Sequence, residues 1–294
     1  MPIRPLFIRN FTALNERSTM KHVLSSLLAV AALSLAGDGT AQNVIRVGGT
    51  GTGTLLVQNL IPAYLKSHPD VQVNAINPPL GSNGALRALD AGAIQIAIVS
   101  IPSSFPPLLQ DAGATMNIPW ARTPFIFTGR DVVAGTKMTI SQVAGIYSGS
   151  VTQWPGGVPI RLVTRTDRET DTRLLRAVSA EMNAALTKAS KRLGMPFAEN
   201  DYDNQTLLEK TAGSFGGIAL GQLRLSNSPL NPVTLDGVAP SSQNLLAGQY
   251  RIEKPLYLIV AKASSAPTLD FIKYLQSPET MKMLGRFEFI SMQR

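Results

Sequence analysis

The chain has 294 residues, 44% hydrophobic and 16% charged, a balance that suits a globular protein and excludes a disordered one. It has no cysteine, so disulfides, thiol catalysis and zinc–thiolate sites are excluded. Of the +8 formal charge, residues 1–41 carry a net +2, which leaves about +6 dispersed over the rest. A surplus of that kind attracts small anions and lacks the clustered basic and aromatic pattern of a nucleic-acid binder.

The first element is a leader. From Met20, the expected true start, "MKHVLSSLLAVAALSLAGDGTAQ" joins a basic Lys21 to an apolar run from Val23 to Ala36, with small residues Gly39 and Ala41 after it. This is the layout of a secretory signal cleaved after Ala41, and the run is too short for a membrane anchor. Residues 1–41 are therefore read as leader and signal peptide, and the exported chain begins near Gln42.

Strand and helix patterns then alternate. Val44–Val47 reads as a strand, and Leu56, Leu60, Ile61 and Tyr64 mark one face of a helix near 55–67. Between them, "GGTGTGT" is either a tight turn or a cradle of backbone N–H groups and threonine hydroxyls for an anion. Strand 71–76, helix 84–90 and strand 94–99 complete a βαβαβ order, which implies a parallel sheet with covered faces. Pro62 should kink the first helix or mark its tightened start. After a proline-rich loop, "TMNIPWARTPFIFTGRDV" contains an extended apolar strand.

The alternation restarts with a short helix in "MTISQVAGIYSG", a strand in "IRLVTR" and one long amphipathic helix in "DTRLLRAVSAEMNAALTKASKRLG", stopped by Gly194 and Pro196. A glycine-flanked strand, "SFGGIALGQL", and a buried strand, "PLYLIVAK", follow. Two short helices come next, the second capped by Ser277 with Pro278 and Glu279 in its first turn. The pattern predicts two α/β lobes: residues 42–125 and 251–294 in one, 126–250 in the other. Crossings near 122–130 and 250–257 would join them.

Enzyme templates fit poorly. His68, the only histidine past the leader, stands in "KSHPD" and reads as a solvated turn residue rather than a member of a triad. Thr54 stands where a P-loop needs lysine, and the G-x-G-x-G spacing is not the dinucleotide fingerprint. Asp201 and Asp203 in "ENDYDNQ" read as a surface loop, and no metal cluster stands out. Neither catalytic residues nor a cofactor or metal are expected.

Two further strand-to-helix turns share the chemistry of the first. In "IRLVTRTDRETDTRLLRA", Arg165 ends a strand and Thr170, Asp171 and Thr172 open a helix, so guanidinium, hydroxyls and N–H groups can meet a tetrahedral oxyanion. The same residues also suit a plain capped helix, with Asp171 complementing the macrodipole and Arg165 paired to Asp167 or Glu169. In "PLGSNGALRAL", Gly81 and Ser82 precede another helix.

The blocks "GTGTLL", "GSNGALRALDAGAIQIAIVS", "TISQVAGIYSGSVTQWPGGVPIRLVTR", "GSFGGIAL" and "GQYRIEKPLYLIV…FIKYLQSPE" occur in the order seen in phosphate-type periplasmic solute-binding proteins. The chain resembles that family from about residue 44 to its end. The resemblance implies an α/β, two-lobed type II periplasmic binding protein fold, each lobe a mixed, mostly parallel sheet flanked by helices. It further implies a monomer that binds a small oxyanion, phosphate or a relative, and passes it to an ABC permease without covalent chemistry. By position, Thr52, Gly53 and Thr54 match the family's first loop, Ser82 the second, Ser100 the end of the strand "IAIVS", and Arg165 the strand-end arginine. Thr170, Asp171 and Thr172 lie where the family has Ser-Gly-Thr. Ile101 stands where the family places a proton-accepting acid, and Asp171 is expected either to replace that acceptor or to repel a dianion. Two other readings of the same chain are a non-transport sensor or extracellular interaction protein and a phosphoester hydrolase.

Overall fold

The computed structural model describes residues 43–100, 115–261 and 263–293. The leader reading of residues 1–41 and the position of Ile101 lie outside them.

The glycine-rich stretch is not a loop. Strand β1 (Asn43–Gly49) is followed after one residue by α1 (Gly51–Leu65), so Thr52, Gly53 and Thr54 form the first helical turn. Thr50 caps it, its hydroxyl accepting from the Gly53 N–H. Glycine is required here for closeness. A Cβ on Gly49 would lie 2.4 Å from the Ile98 carbonyl oxygen, and one on Gly53 2.4 Å from Ile98 Cγ2. α1 continues through Pro62 to Leu65.

β2 (Val71–Ala75), α2 (Gly81–Asp90) and β3 (Ile96–Val99) complete the βαβαβ unit, with β1 parallel to both neighbours. All four residues of β3 are buried, as a strand covered on both faces must be. The sheet order is β2-β1-β3-β9-β4-β7-β6, with β10 (Ile290–Ser291) added against β4. At its centre, β4 (Thr115–Thr128) and β9 (Glu253–Ala261) run antiparallel, so the sheet is mixed. Besides β10, β4 serves two longer partners: its first part pairs with β9, and Phe125–Thr128 pair with β7 (Ser214–Ala219). β6 is only Arg161–Leu162, shorter than the expected "IRLVTR" strand, and is parallel to β7. β5 (Lys137–Met138) and β8 (Thr234–Leu235) form a separate parallel pair.

α3 (Ile140–Ser148) is closed by a capping box from Thr139 and by Gly149 in the left-handed region. The single long helix expected over residues 171–194 is two, α4 (Thr170–Val178) and α5 (Ala180–Ala189). The break is Ser179, whose extended backbone ends α4 and whose hydroxyl caps α5 through the Met182 N–H. A helical apolar period survives such a break, which is why the sequence pattern hides it. "ENDYDNQ" is not a surface loop. Asn200 caps α6 (Asp201–Lys210), accepting from Tyr202 and Asp203 N–H, and Asp201 is buried. α7 (Leu220–Leu225) follows β7 directly, and α8 (Ser242–Leu246), α9 (Ala266–Leu275) and α10 (Pro278–Gly285) complete the helices named here. Ser277 caps α10 as expected, accepting from the Thr280 N–H.

Apolar burial is gathered in separate clusters. One draws on both ends of the described chain, around Val47, Leu56, Trp120, Leu258, Phe271 and Phe289. Another lies within residues 125–252, around Phe127, Val143, Leu162, Met182 and Phe215. A smaller group joins α2 to β3 and β9. From Asn43 onward, however, the chain forms one compact unit.

Candidate functional site

A buried charge cluster lies where the strand-to-helix turns meet. Arg165, three residues past β6, donates through Nη1 to Asp171 Oδ2 at 3.0 Å and also to Asp201 Oδ1. Its Nη2 donates to Glu169 Oε2 at 2.8 Å. Lys254, near the start of β9, completes the set: its Nζ is 2.7 Å from Asp171 Oδ1 and 3.1 Å from Asp201 Oδ2. The Lys254 side chain is 1% exposed, and those of Arg165, Asp171 and Asp201 are 6–7% exposed. Charges buried this deeply persist only when paired. Two cations here face two buried carboxylates and a third, partly exposed one, Glu169.

The field of each group shows in its proton affinity. Burial pushes the Asp201 carboxyl up, yet Lys254, Arg165 and the Thr52 N–H together hold it well below the usual carboxylate range. Burial works against the charge on Arg165 and Lys254, but the facing carboxylates raise both above their ordinary values. Burial raises Glu169, outweighing Arg165.

The start of α1 closes onto this cluster. The Thr52 N–H donates to Asp201 Oδ2 at 3.0 Å, and Thr52 Oγ1 lies 3.3 Å from the same oxygen and 2.8 Å from Gln222 Oε1. Gln222 Nε2 in turn donates to the Asp201 carbonyl at 3.0 Å. A Cβ on Gly51 would lie 2.5 Å from Asp201 Cβ, so glycine at that position lets α1 and α6 touch. The α2 and α4 starts meet as well: Ser82 Oγ and Thr170 Oγ1 are 3.0 Å apart, and the Ser100 N–H donates to Ser82 Oγ at 3.2 Å.

The structure therefore brings together Thr52, Ser82, Ser100, Arg165, Thr170 and Asp171. Thr172 is buried in the first turn of α4 beside Asp171, and Thr54 is buried in that of α1. Gly53 is buried against Ile98, and its N–H is taken by the Thr50 cap. Among the described residues, the buried atoms Thr54 Oγ1, Ser100 Oγ and Arg165 Nε have no hydrogen-bond partner. Each is a buried donor left unused. Arg165 does pair with Glu169, whereas Asp167 pairs with Arg176. Both Asp171 oxygens face cations.

Sequence reasoning missed Asp201, Lys254 and Gln222. Asn200 before a run of first-turn acids was a helix-start signal, and Lys254 was a lone charge at the head of an apolar strand. Nothing in the sequence places either against Arg165, 36 and 89 positions away. His68 is half-buried rather than a plain solvated turn residue. It stacks on Tyr64 with ring centroids 4.0 Å apart and pairs with Asp270 at 3.0 Å.

Solved structures share this architecture. A protein from Clostridium perfringens described as a phosphate ABC transporter substrate-binding protein, with bound phosphate, is 18% identical, with a TM-score of 0.69 over 85% of this chain and 100% of its own. An ABC-type phosphate transport receptor from Vibrio cholerae is 19% identical, with a TM-score of 0.59 over 84% of this chain and 99% of its own. A possible phosphate binding protein from Planctomyces limnophilus is 18% identical, with a TM-score of 0.52 over 85% and 93%. At these identities the likeness establishes the fold. No curated protein matches the chain. The PBP superfamily domain matches residues 36–279, and the chain belongs to that superfamily.

Proposed function

We propose that this chain is an exported solute-binding protein that captures a small oxyanion, phosphate in the first instance, for ABC-type uptake. The observation that carries this reading is the meeting of three helix starts, those of α1, α2 and α4, at one buried cluster containing Arg165 and Lys254. Helix N-termini and guanidinium groups are oxyanion ligands by their chemistry. The unpartnered hydroxyls of Thr54 and Ser100 and the free Arg165 Nε supply donors to such a ligand. The phosphate-bound structural neighbour supports the choice of anion. Thr52, Gly53, Thr54, Ser82, Ser100, Arg165, Thr170, Asp171 and Thr172 form the proposed site.

In this reading residues 42–125 with 251–294 form one lobe and 126–250 the other, with the cluster between them. The secretory reading of residues 1–41 places the protein in the periplasm, where a permease would receive the ligand. Binding, not turnover, is the activity. His68 is engaged with Tyr64 and Asp270, away from the charge cluster's hydrogen bonds.

Titration calorimetry with inorganic phosphate, alongside native mass spectrometry of protein from its own periplasm, tests this reading. One phosphate per chain is the expected result. No heat and no ligand mass at millimolar phosphate would overturn it.

A further inference from the structure

The cluster already contains an anion of its own. Asp201 is the first residue of α6, yet its carboxylate accepts from the Thr52 N–H at the start of α1 and faces both Arg165 and Lys254. A helix-start N–H, a guanidinium and an ammonium are the partners a bound oxyanion would have. From this geometry we infer that Asp201 is an intramolecular competitor for the anion site: a carboxylate latch that must leave the α1 start before phosphate binds. The inference rests on the oxyanion-binding reading above.

Charge supports it. With Asp171 and Asp201 in place, the two buried cations are already matched, and Glu169 adds a third carboxylate at Arg165 Nη2. A phosphate added to that set would stand against uncompensated carboxylates in a buried site, which is strongly unfavourable. With the Asp201 carboxylate withdrawn, Arg165 and Lys254 are balanced by Asp171 and the partly exposed Glu169, and the cation faces that Asp201 occupied, together with the Thr52 N–H, are left for the incoming anion.

Space supports it too. The recess lined by Gly51, Gly81, Arg165, Glu169 and Asp201 measures about 40 Å³, the scale of a few waters at most. Asp201 Cβ lies so near Gly51 that any side chain there would collide. The Asp201 carbonyl is held as well, by Gln222 Nε2. The latch therefore joins α6 to α1 through the Asp201 side chain and to α7 through the Asp201 carbonyl. It would set a threshold, so that the protein loads only at phosphate concentrations high enough to displace an internal carboxylate.

The test is titration calorimetry with inorganic phosphate on wild type, Asp201→Ala and Asp201→Asn, with circular dichroism to confirm folding. Asp201→Asn keeps the shape of the side chain and an acceptor for the Thr52 N–H, which guards the fold if the alanine variant is lost. A latched fraction reduces apparent affinity in proportion, so release should tighten phosphate binding by about tenfold or more. The inference is overturned if wild type binds phosphate and the folded variants bind it equally or more weakly, because Asp201 would then be neutral or a ligand contact. If no form binds phosphate at millimolar concentration, the oxyanion reading itself fails. Binding by the variants but not by wild type would support the latch on an anion site, while removing phosphate capture as the function of the wild-type chain.

Discussion

At Arg165, the resemblance and the local chemistry meet in one side chain that serves three carboxylates. Removing it would leave Asp171 and Asp201 short of a cation in a buried setting, which costs about 3–5 kcal/mol. Arg165→Ala should accordingly lower unfolding stability by that amount at neutral pH, read from urea denaturation. A loss within a few tenths of a kcal/mol would mean the cluster is not formed. Asp201 gives a pH signature. Its carboxyl is held below the ordinary range, so its stabilising contribution is present above the unfolded value of about 3.9 and is lost as pH falls below that toward the folded value. Glu169 acts in the opposite sense: its raised carboxyl favours the fold below its unfolded value, and that contribution fades as pH rises through the folded one. Urea midpoints taken from pH 7 down to 2 should fall steeply for wild type at the acid end and less steeply for Asp201→Asn. Parallel curves would remove Asp201 as the cause.

For the elements, the decisive contacts are close approaches at helix starts. α1 begins one residue after β1 and rests on Ile98 and Asp201 without a side chain between. Gly51→Ala puts a methyl 2.5 Å from Asp201 Cβ, so α6 must shift or the start of α1 must unwind. Overpacking of this kind costs about 1–3 kcal/mol, and the thermal midpoint should fall accordingly. The same substitution pushes Asp201 away from the Thr52 N–H while leaving every charge in place. An unchanged midpoint would show that the α1–α6 contact is looser than the geometry implies.

For the whole molecule, β4 and β9 carry the chain between the two main apolar clusters, and Lys254 sits on β9 opposite Thr123 of β4. The charge cluster is therefore attached to the strands about which the proposed lobes would turn. Domain closure on a ligand is expected when the ligand touches both lobes, because only the closed state gains both sets of contacts. The latch changes what that predicts. Asp201 already ties α6 to α1, so wild type should show little decrease in radius of gyration on saturation with phosphate. Asp201→Ala should start more extended and contract when phosphate is added. Small-angle scattering of both proteins, with and without phosphate, separates these outcomes. Identical values in all four samples would argue against a hinge.

The sequence by itself determined what depends on local pattern. The βαβαβ order, the capped helix at Ser277, and three turns rich in small hydroxyl residues could all be read from periodicity and capping chemistry over a few positions. It also supplied the candidates around Arg165, because a strand end and the following helix start are neighbours in the chain. The tertiary structure decided what fills those turns. Asp201, Lys254 and Gln222 are far from Arg165 in sequence and meet it only because β9 returns to the sheet centre and α6 packs its first turn on α1. Whether an aspartate near a helix start is solvated or buried against two cations depends on which elements pack over it, and no local period encodes that. The break at Ser179 was hidden for a related reason, since two helices meeting at one extended residue can keep a common apolar stripe.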